Sequence, residues 1–219
     1  MVKIIDIKQS VFADNNADAA LLRQQLSQNR VFLINLMSSP GAGKTTTLLG
    51  TLPLLPGLKL GVMEADIDSD VDAQAIARLG VPSLQLHTGG MCHLDADMTR
   101  QGLRELGALE GNPAGFDLVF LENVGNLVCP AEFDTGAHKN VMILSVPEGD
   151  DKPLKYPLMF QVSDVVLINK LDAAPAFDFD LDKARQRILQ RNPQAEIFPI
   201  SAKTGQGLAA WADWLRRQL

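Results

Sequence analysis

The sequence is poor in cysteine, histidine and aromatic side chains: two Cys, three His, one Tyr and two Trp in 219 residues. Two thiols, Cys92 and Cys129, cannot build a disulfide framework, which argues against a small secreted scaffold. Long apolar runs are missing too. The longest, around 31–37 and 141–146, fall far short of the ~18 residues that a membrane-crossing helix needs. Residues 1–29 open on a short, mixed, strand-like piece and become polar and Ala/Leu/Gln-rich, without the apolar core of a secretion signal. Nor is there an excess of positive charge. Twenty Lys and Arg against 26 Asp and Glu leave a net charge of −6, the wrong sign for a general nucleic-acid binder. We therefore expect a soluble, reduced, cytoplasmic protein with no nucleic-acid or membrane partner.

What the chain does have is a regular succession of short apolar runs rich in Val, Ile, Leu and Phe: Val31–Met37, Leu58–Met63, Ser83–Leu86, Asp117–Leu121, Val141–Val146, Asp164–Ile168 and Glu196–Pro199. Runs apolar throughout, rather than alternating, read as strands covered on both faces. Helical candidates lie between them: Lys44–Leu52, Val71–Leu79, Cys92–Leu106, Pro153–Gln161, Leu181–Gln190 and Gly207–Leu219. Strand and helix in alternation predict a three-layer α/β domain with a mostly parallel sheet flanked by helices. The expected organisation is one domain over residues 30–219, with residues 1–29 as an extension packed on it or docking to it.

Directly after the first run comes Ser38-Ser39-Pro40-Gly41-Ala42-Gly43-Lys44-Thr45-Thr46, which has the strand, glycine loop and helix start of a P-loop. Gly41 and Gly43 would let the backbone approach phosphate oxygens while N–H groups at the helix start face the anion. Lys44 would bring a positive charge to the β/γ-phosphates, and the Thr45 hydroxyl would coordinate Mg²⁺. The general pattern has Gly where Ser38 stands, so the first turn must be made differently here.

The base is chosen elsewhere. Asn169-Lys170-Leu171-Asp172 follows the run Asp164–Ile168, where an α/β sheet presents ligand-binding loops. The Asp172 carboxylate can accept from guanine's ring N–H and amine, whereas adenine would leave it unpaired at a cost of about 1–3 kcal/mol. Ser201-Ala202-Lys203, after the last run, could close over the base. These features point to GTP and GDP. For Mg²⁺, two acidic segments at strand ends offer ligands: Glu64-Ala65-Asp66, through Asp66, and Glu122-Asn123-Val124-Gly125, through Glu122. The second is similar to the Asp-x-x-Gly switch of GTPases, with Gly125 placed to give its N–H to the γ-phosphate.

Cys92 and His93 are adjacent at the start of the helix expected over Cys92–Leu106, where positive potential would favour a thiolate. Cys129 hangs on the Glu122–Gly125 segment. Together the three could ligate Zn²⁺ or Ni²⁺, with water or a second chain completing the set.

Three strings carry a resemblance: Gly89-Gly90-Met91-Cys92-His93-Leu94-Asp95-Ala96, Glu122-Asn123-Val124-Gly125-Asn126-Leu127-Val128-Cys129-Pro130, and Glu148-Gly149-Asp150-Asp151-Lys152-Pro153-Leu154-Lys155-Tyr156-Pro157. The chain from about Val31 onward resembles the hydrogenase maturation, nickel-incorporation GTPases of the HypB family. The resemblance implies a slow GTPase that binds metal at Cys92, His93 and Cys129 and forms nucleotide-responsive homodimers. It also implies work with a small zinc-containing nickel chaperone of the HypA type and with the large-subunit precursor of a [NiFe]-hydrogenase. The N-terminal Cys-x-x-Cys-Gly-Cys site and the His-rich tract of some members have no counterpart here, so bulk nickel storage is not expected. A urease-type accessory GTPase would carry Cys-Pro-His instead of adjacent Cys92-His93.

Overall fold

The computed structural model describes residues 7–66 and 75–219, with side chains over 12–65 and 75–219. Seven strands form one sheet in the order β3-β2-β4-β1-β5-β6-β7. They are β1 Phe32–Ser38, β2 Leu60–Asp66, β3 Ser83–His87, β4 Leu118–Glu122, β5 Lys139–Ser145, β6 Val165–Asn169 and β7 Glu196–Pro199. Every pairing is parallel, from Phe32 beside Leu118 to Val165 beside Glu196. All seven expected runs are strands, with ends that differ by at most three residues. A parallel sheet needs a crossover between successive strands. The crossovers contain α2 Lys44–Thr51, α3 Ala96–Leu106, α4 Cys129–Glu132, α5 Lys152–Lys155, α6 Pro157–Gln161 and α7 Leu181–Arg191, while α8 Leu208–Gln218 closes the chain.

The two faces of the sheet are covered by different helices, which is why the runs do not alternate. Ile34, Leu36, Val62 and Phe120 meet Leu48 of α2 and Trp211 and Leu215 of α8. On the opposite face Leu33, Met63, Val119 and Leu121 meet Leu103 of α3 and two leucines of an additional helix, α1 Ile7–Gln28. This helix replaces the polar stretch expected before Val31. Ala19, Leu22 and Leu26 recur three and four apart and are wholly buried, so the Ala/Leu/Gln composition here serves a packed helix face. Burying each leucine is worth about 1.5–3 kcal/mol.

Two helix expectations are corrected. Helix α3 begins at Ala96 rather than Cys92, because the Asp95 carboxylate accepts from the Met98 N–H at 2.8 Å and caps it there. Cys92 therefore lies in an irregular turn and gains nothing from a helix terminus. The expected helix over Pro153–Gln161 is two short ones, broken at Tyr156 (φ −126°, ψ 59°), since the residue before Pro157 is driven out of the helical region. Of the expected helix Val71–Leu79, positions 71–74 lie outside the described residues, and 75–77 are helical.

Candidate functional site

The strand order turns on β1, and in such sheets ligands bind beyond the carboxyl ends of the strands at that switch. The segment after β1 is the glycine loop. Gly41 (φ 72°) and Gly43 (φ 101°) both adopt the left-handed backbone that glycine tolerates. A Cβ on Gly43 would stand 2.6 Å from the Asn169 side-chain nitrogen, so the loop passes close under β6. Ser38 has no positive φ, ends β1 buried, and accepts from Lys44 Nζ at 3.2 Å. The first turn therefore needs no glycine at 38.

Lys44 and Thr45 open α2 facing the end of β4. Thr45 Oγ1 donates to Glu122 Oε1 at 3.1 Å, and Lys44 Nζ lies 4.0 Å from the same oxygen. A hydroxyl beside a buried carboxylate is an all-oxygen donor pair suited to a hard divalent cation. Thr46 is exposed on the first turn of α2. Asp66 ends β2, but its side chain lies outside the described residues. Gly125 abuts the loop: a Cβ there would meet the Cα of Pro40 at 3.0 Å and its nitrogen at 3.1 Å.

The segment after β6 is locked to the loop. Asn169 donates from Nδ2 to the Ala42 carbonyl at 3.0 Å and accepts the Ala202 N–H on Oδ1 at 3.0 Å. Lys170 (φ 64°) donates to the Gly41 carbonyl at 2.6 Å. Asp172 accepts the Ser201 hydroxyl on Oδ1 at 2.6 Å. Lys203 is exposed on the same final loop.

The second cluster is formed by Cys92, His93 and Cys129, whose ligand atoms all lie within 4.8 Å of one another. Cys92 Sγ lies 2.8 Å from Cys129 Sγ and 3.8 Å from His93 Nδ1. Hydrogen bonding from Cys92, then burial, pushes the Cys129 thiol above its ordinary pKa. Burial lowers the pKa of His93 in spite of Asp95 and Glu132 nearby, which favours the neutral imidazole that metals bind. Two sulfurs and one nitrogen suit zinc or nickel, and a cation entering here would displace thiol protons.

The description "CobW/HypB/UreG, nucleotide-binding domain" matches residues 32–199. The "Hydrogenase maturation factor HypB" of Azotobacter vinelandii is 44% identical over 217 residues, 99% of this chain and 70% of that protein. The chain belongs to the HypB family. Two solved HypB structures are similar over most of their length. One, from Helicobacter pylori and described as in complex with nickel, has a TM-score of 0.86 and 38% identity, covering 94% of each chain. The HypB of Archaeoglobus fulgidus has a TM-score of 0.85 and 35% identity, covering 94% of this chain and 98% of that one.

Within this HypB fold the structure also brings in residues that the spacing of motifs did not single out. Glu148 accepts from the Ser39 hydroxyl of the glycine loop on one oxygen, and from the Ser145 N–H (2.9 Å) and hydroxyl (2.8 Å) on the other. Lys152 Nζ stands 3.9 Å from Glu148. Asp150 pairs with Arg187 of α7 and accepts the Asp180 N–H at 3.0 Å. These contacts give the Glu148–Pro157 string a physical role, which is to fasten the end of β5 to both the glycine loop and α7. Phe133, an aromatic four residues past Cys129, also joins the cluster: its ring stacks on His93 at 3.8 Å between centroids.

Proposed function

We propose that this chain is a GTP-hydrolysing metallochaperone that binds nickel or zinc at Cys92, His93 and Cys129 and assists nickel insertion into a [NiFe]-hydrogenase large subunit. Family membership supports the maturation role. The observation that carries the coupling is the segment 122–129, whose first residue touches Thr45 and whose last touches Cys92.

The backbone N–H groups of Gly41–Thr46 would cradle the phosphates, with Lys44 against the β/γ-phosphates. Thr45, Glu122 and Asp66 would hold Mg²⁺, which neutralises charge developing on the transferred phosphoryl group. Asp172, oriented by Ser201, selects guanine, while Ala202 and Lys203 close over the base. No glutamine or arginine is assigned to water attack, so the unaided rate should fall below about one per second, as for GTPases without an activating partner.

Arrival or loss of the γ-phosphate would shift Glu122–Gly125 and with it Cys129, changing metal affinity. The cage offers three ligands, so water or a second copy in a homodimer would supply the next. Handover would run to a zinc-containing chaperone of the HypA type and the hydrogenase precursor. Nickel and zinc titrations of the GDP-bound and GTP-analogue-bound protein test this reading. Affinities differing about tenfold, or 1.4 kcal/mol of coupling, are expected, and equal affinities would overturn it. Lys44→Ala separates a GTPase from a metal buffer in which nucleotide only stabilises the fold: the buffer would keep its cellular effect.

A further inference from the structure

Two of the three metal-site side chains sit on irregular backbone. Cys92 and His93 lie in a turn ahead of α3, and Cys129 begins a four-residue helix after a loop. Each segment has only short-range backbone hydrogen bonds of its own, Met91 N–H to the Thr88 carbonyl at 3.2 Å and Ala131 N–H to the Val128 carbonyl at 3.1 Å, so contacts from outside bear on where the ligands sit.

Helix α1 supplies such contacts. The Asn15 side chain accepts the Ala96 N–H on Oδ1 at 3.0 Å, three residues beyond His93, and donates from Nδ2 to the Asp134 carbonyl at 3.0 Å, five residues beyond Cys129. One amide thus bridges both ligand-bearing segments. The Phe133 ring lies almost flat on His93, with an interplanar angle of 18°, and its ring centroid lies 4.9 Å from that of Phe12 of α1. Farther along α1, Arg23 grips Asp134 with two bonds of 2.8 and 2.9 Å and donates to the Ala137 carbonyl at 2.9 Å. Asp18 takes Arg100 of α3 at 2.9 Å.

We propose that Asn15 and Phe133 are positioning residues of the Cys92/His93/Cys129 site, and that α1 is the latch that sets its metal affinity. The inference rests on the metal-binding reading of that cluster. A flat ring on one face of His93 fixes the imidazole plane and therefore the direction of its lone pair. The Asn15 bridge fixes the distance between the two segments. Neither residue offers the cation a ligand, so their removal leaves the donor set complete and only loosens it.

The test uses the full chain and Ni²⁺ alone, measured by competition against a chromophoric chelator, with GDP affinity measured in parallel. Asn15→Ala and Phe133→Leu should each weaken Ni²⁺ binding about tenfold and hasten its release, with GDP affinity unchanged; Phe133→Tyr, which keeps the ring, should bind like the parent. His93→Ala is the control. If it weakens Ni²⁺ binding while Asn15→Ala and Phe133→Leu remain within about twofold of the parent, the latch is overturned and the metal site stands. If His93→Ala itself binds like the parent, the latch falls together with the metal reading. Should Phe133→Leu lose GDP binding as well, its packing role dominates, and Asn15→Ala decides the matter alone.

Discussion

Asp172 shows how much chemistry can hang on one carboxylate. Ser201 holds one of its oxygens at 2.6 Å. If Asp172 reads guanine, Asp172→Asn should trade an acceptor for a donor and reject GTP. Losing one such pairing to a charged acceptor, and facing donor against donor, should weaken GTP at least about 100-fold and favour xanthosine triphosphate, whose second carbonyl accepts. Equilibrium nucleotide competition would check it, and unchanged guanine preference would refute the assignment. His138 is a second residue-scale case. Its Nδ1 accepts the Leu33 N–H at 3.0 Å, its Nε2 lies 3.2 Å from Ser27 Oγ, and its ring stacks on Phe32. Burial, then Arg23, lowers its pKa below 6.5. The folded state thus favours the neutral ring, and this contribution is full above pH 6.5 and lost as pH falls through the lower folded value. Chemical denaturation of the parent should show stability declining from pH 7 to 5 more steeply than in His138→Gln. Parallel profiles would remove His138 from the acid response.

Elements were legible in proportion to how far their local chemistry agrees with their packing. The strands stood out because both faces are covered, and β7 matches its expected bounds at Glu196–Pro199. Helix α1 did not stand out, because its buried face of Ala19, Leu22 and Leu26 is blurred by exposed apolar neighbours such as Leu21 among the polar residues. Its weight is nonetheless testable. Leu22 is fully buried, and Leu→Ala at such sites costs about 2–5 kcal/mol, so Leu22→Ala should lower the unfolding free energy by that order. A loss below about 1 kcal/mol would mean that α1 packs only loosely on the sheet. The start of α3 was misplaced for a different reason. The thiol–histidine pair at 92–93 precedes the helix, whose boundary is set by the cap at Asp95. Asp95→Ala should destabilise the protein by about 1 kcal/mol, read as a lowered denaturation midpoint.

At the scale of the whole molecule, the motifs could be placed from order alone: glycine loop after β1, acids at the ends of β2 and β4, and Asn169–Asp172 at the end of β6. Parallel strands send all these segments to one edge, so alternation of strand and helix already implies a shared site. The sequence could not supply the lateral contacts, such as Glu148 on Ser39 or Asn169 on Ala42, because these depend on sheet order rather than on spacing. The same edge brings Gly125 against Pro40, where an added methyl would press on backbone atoms at 3.0 and 3.1 Å that cannot swing aside. Gly125→Ala should therefore push the 122–129 segment off the glycine loop while leaving Cys92, His93 and Cys129 themselves intact. If the proposed coupling runs through this loop, the expected outcome is Ni²⁺ affinity near that of the GDP-bound parent in every nucleotide state. Linkage requires a reciprocal loss, so nickel should also cease to alter affinity for the GTP analogue, by the same factor. Matched titrations of Ni²⁺ and nucleotide on parent and variant measure both arms. If Gly125→Ala keeps a coupled parent's ratio in either arm, the proposed coupling does not run through this loop.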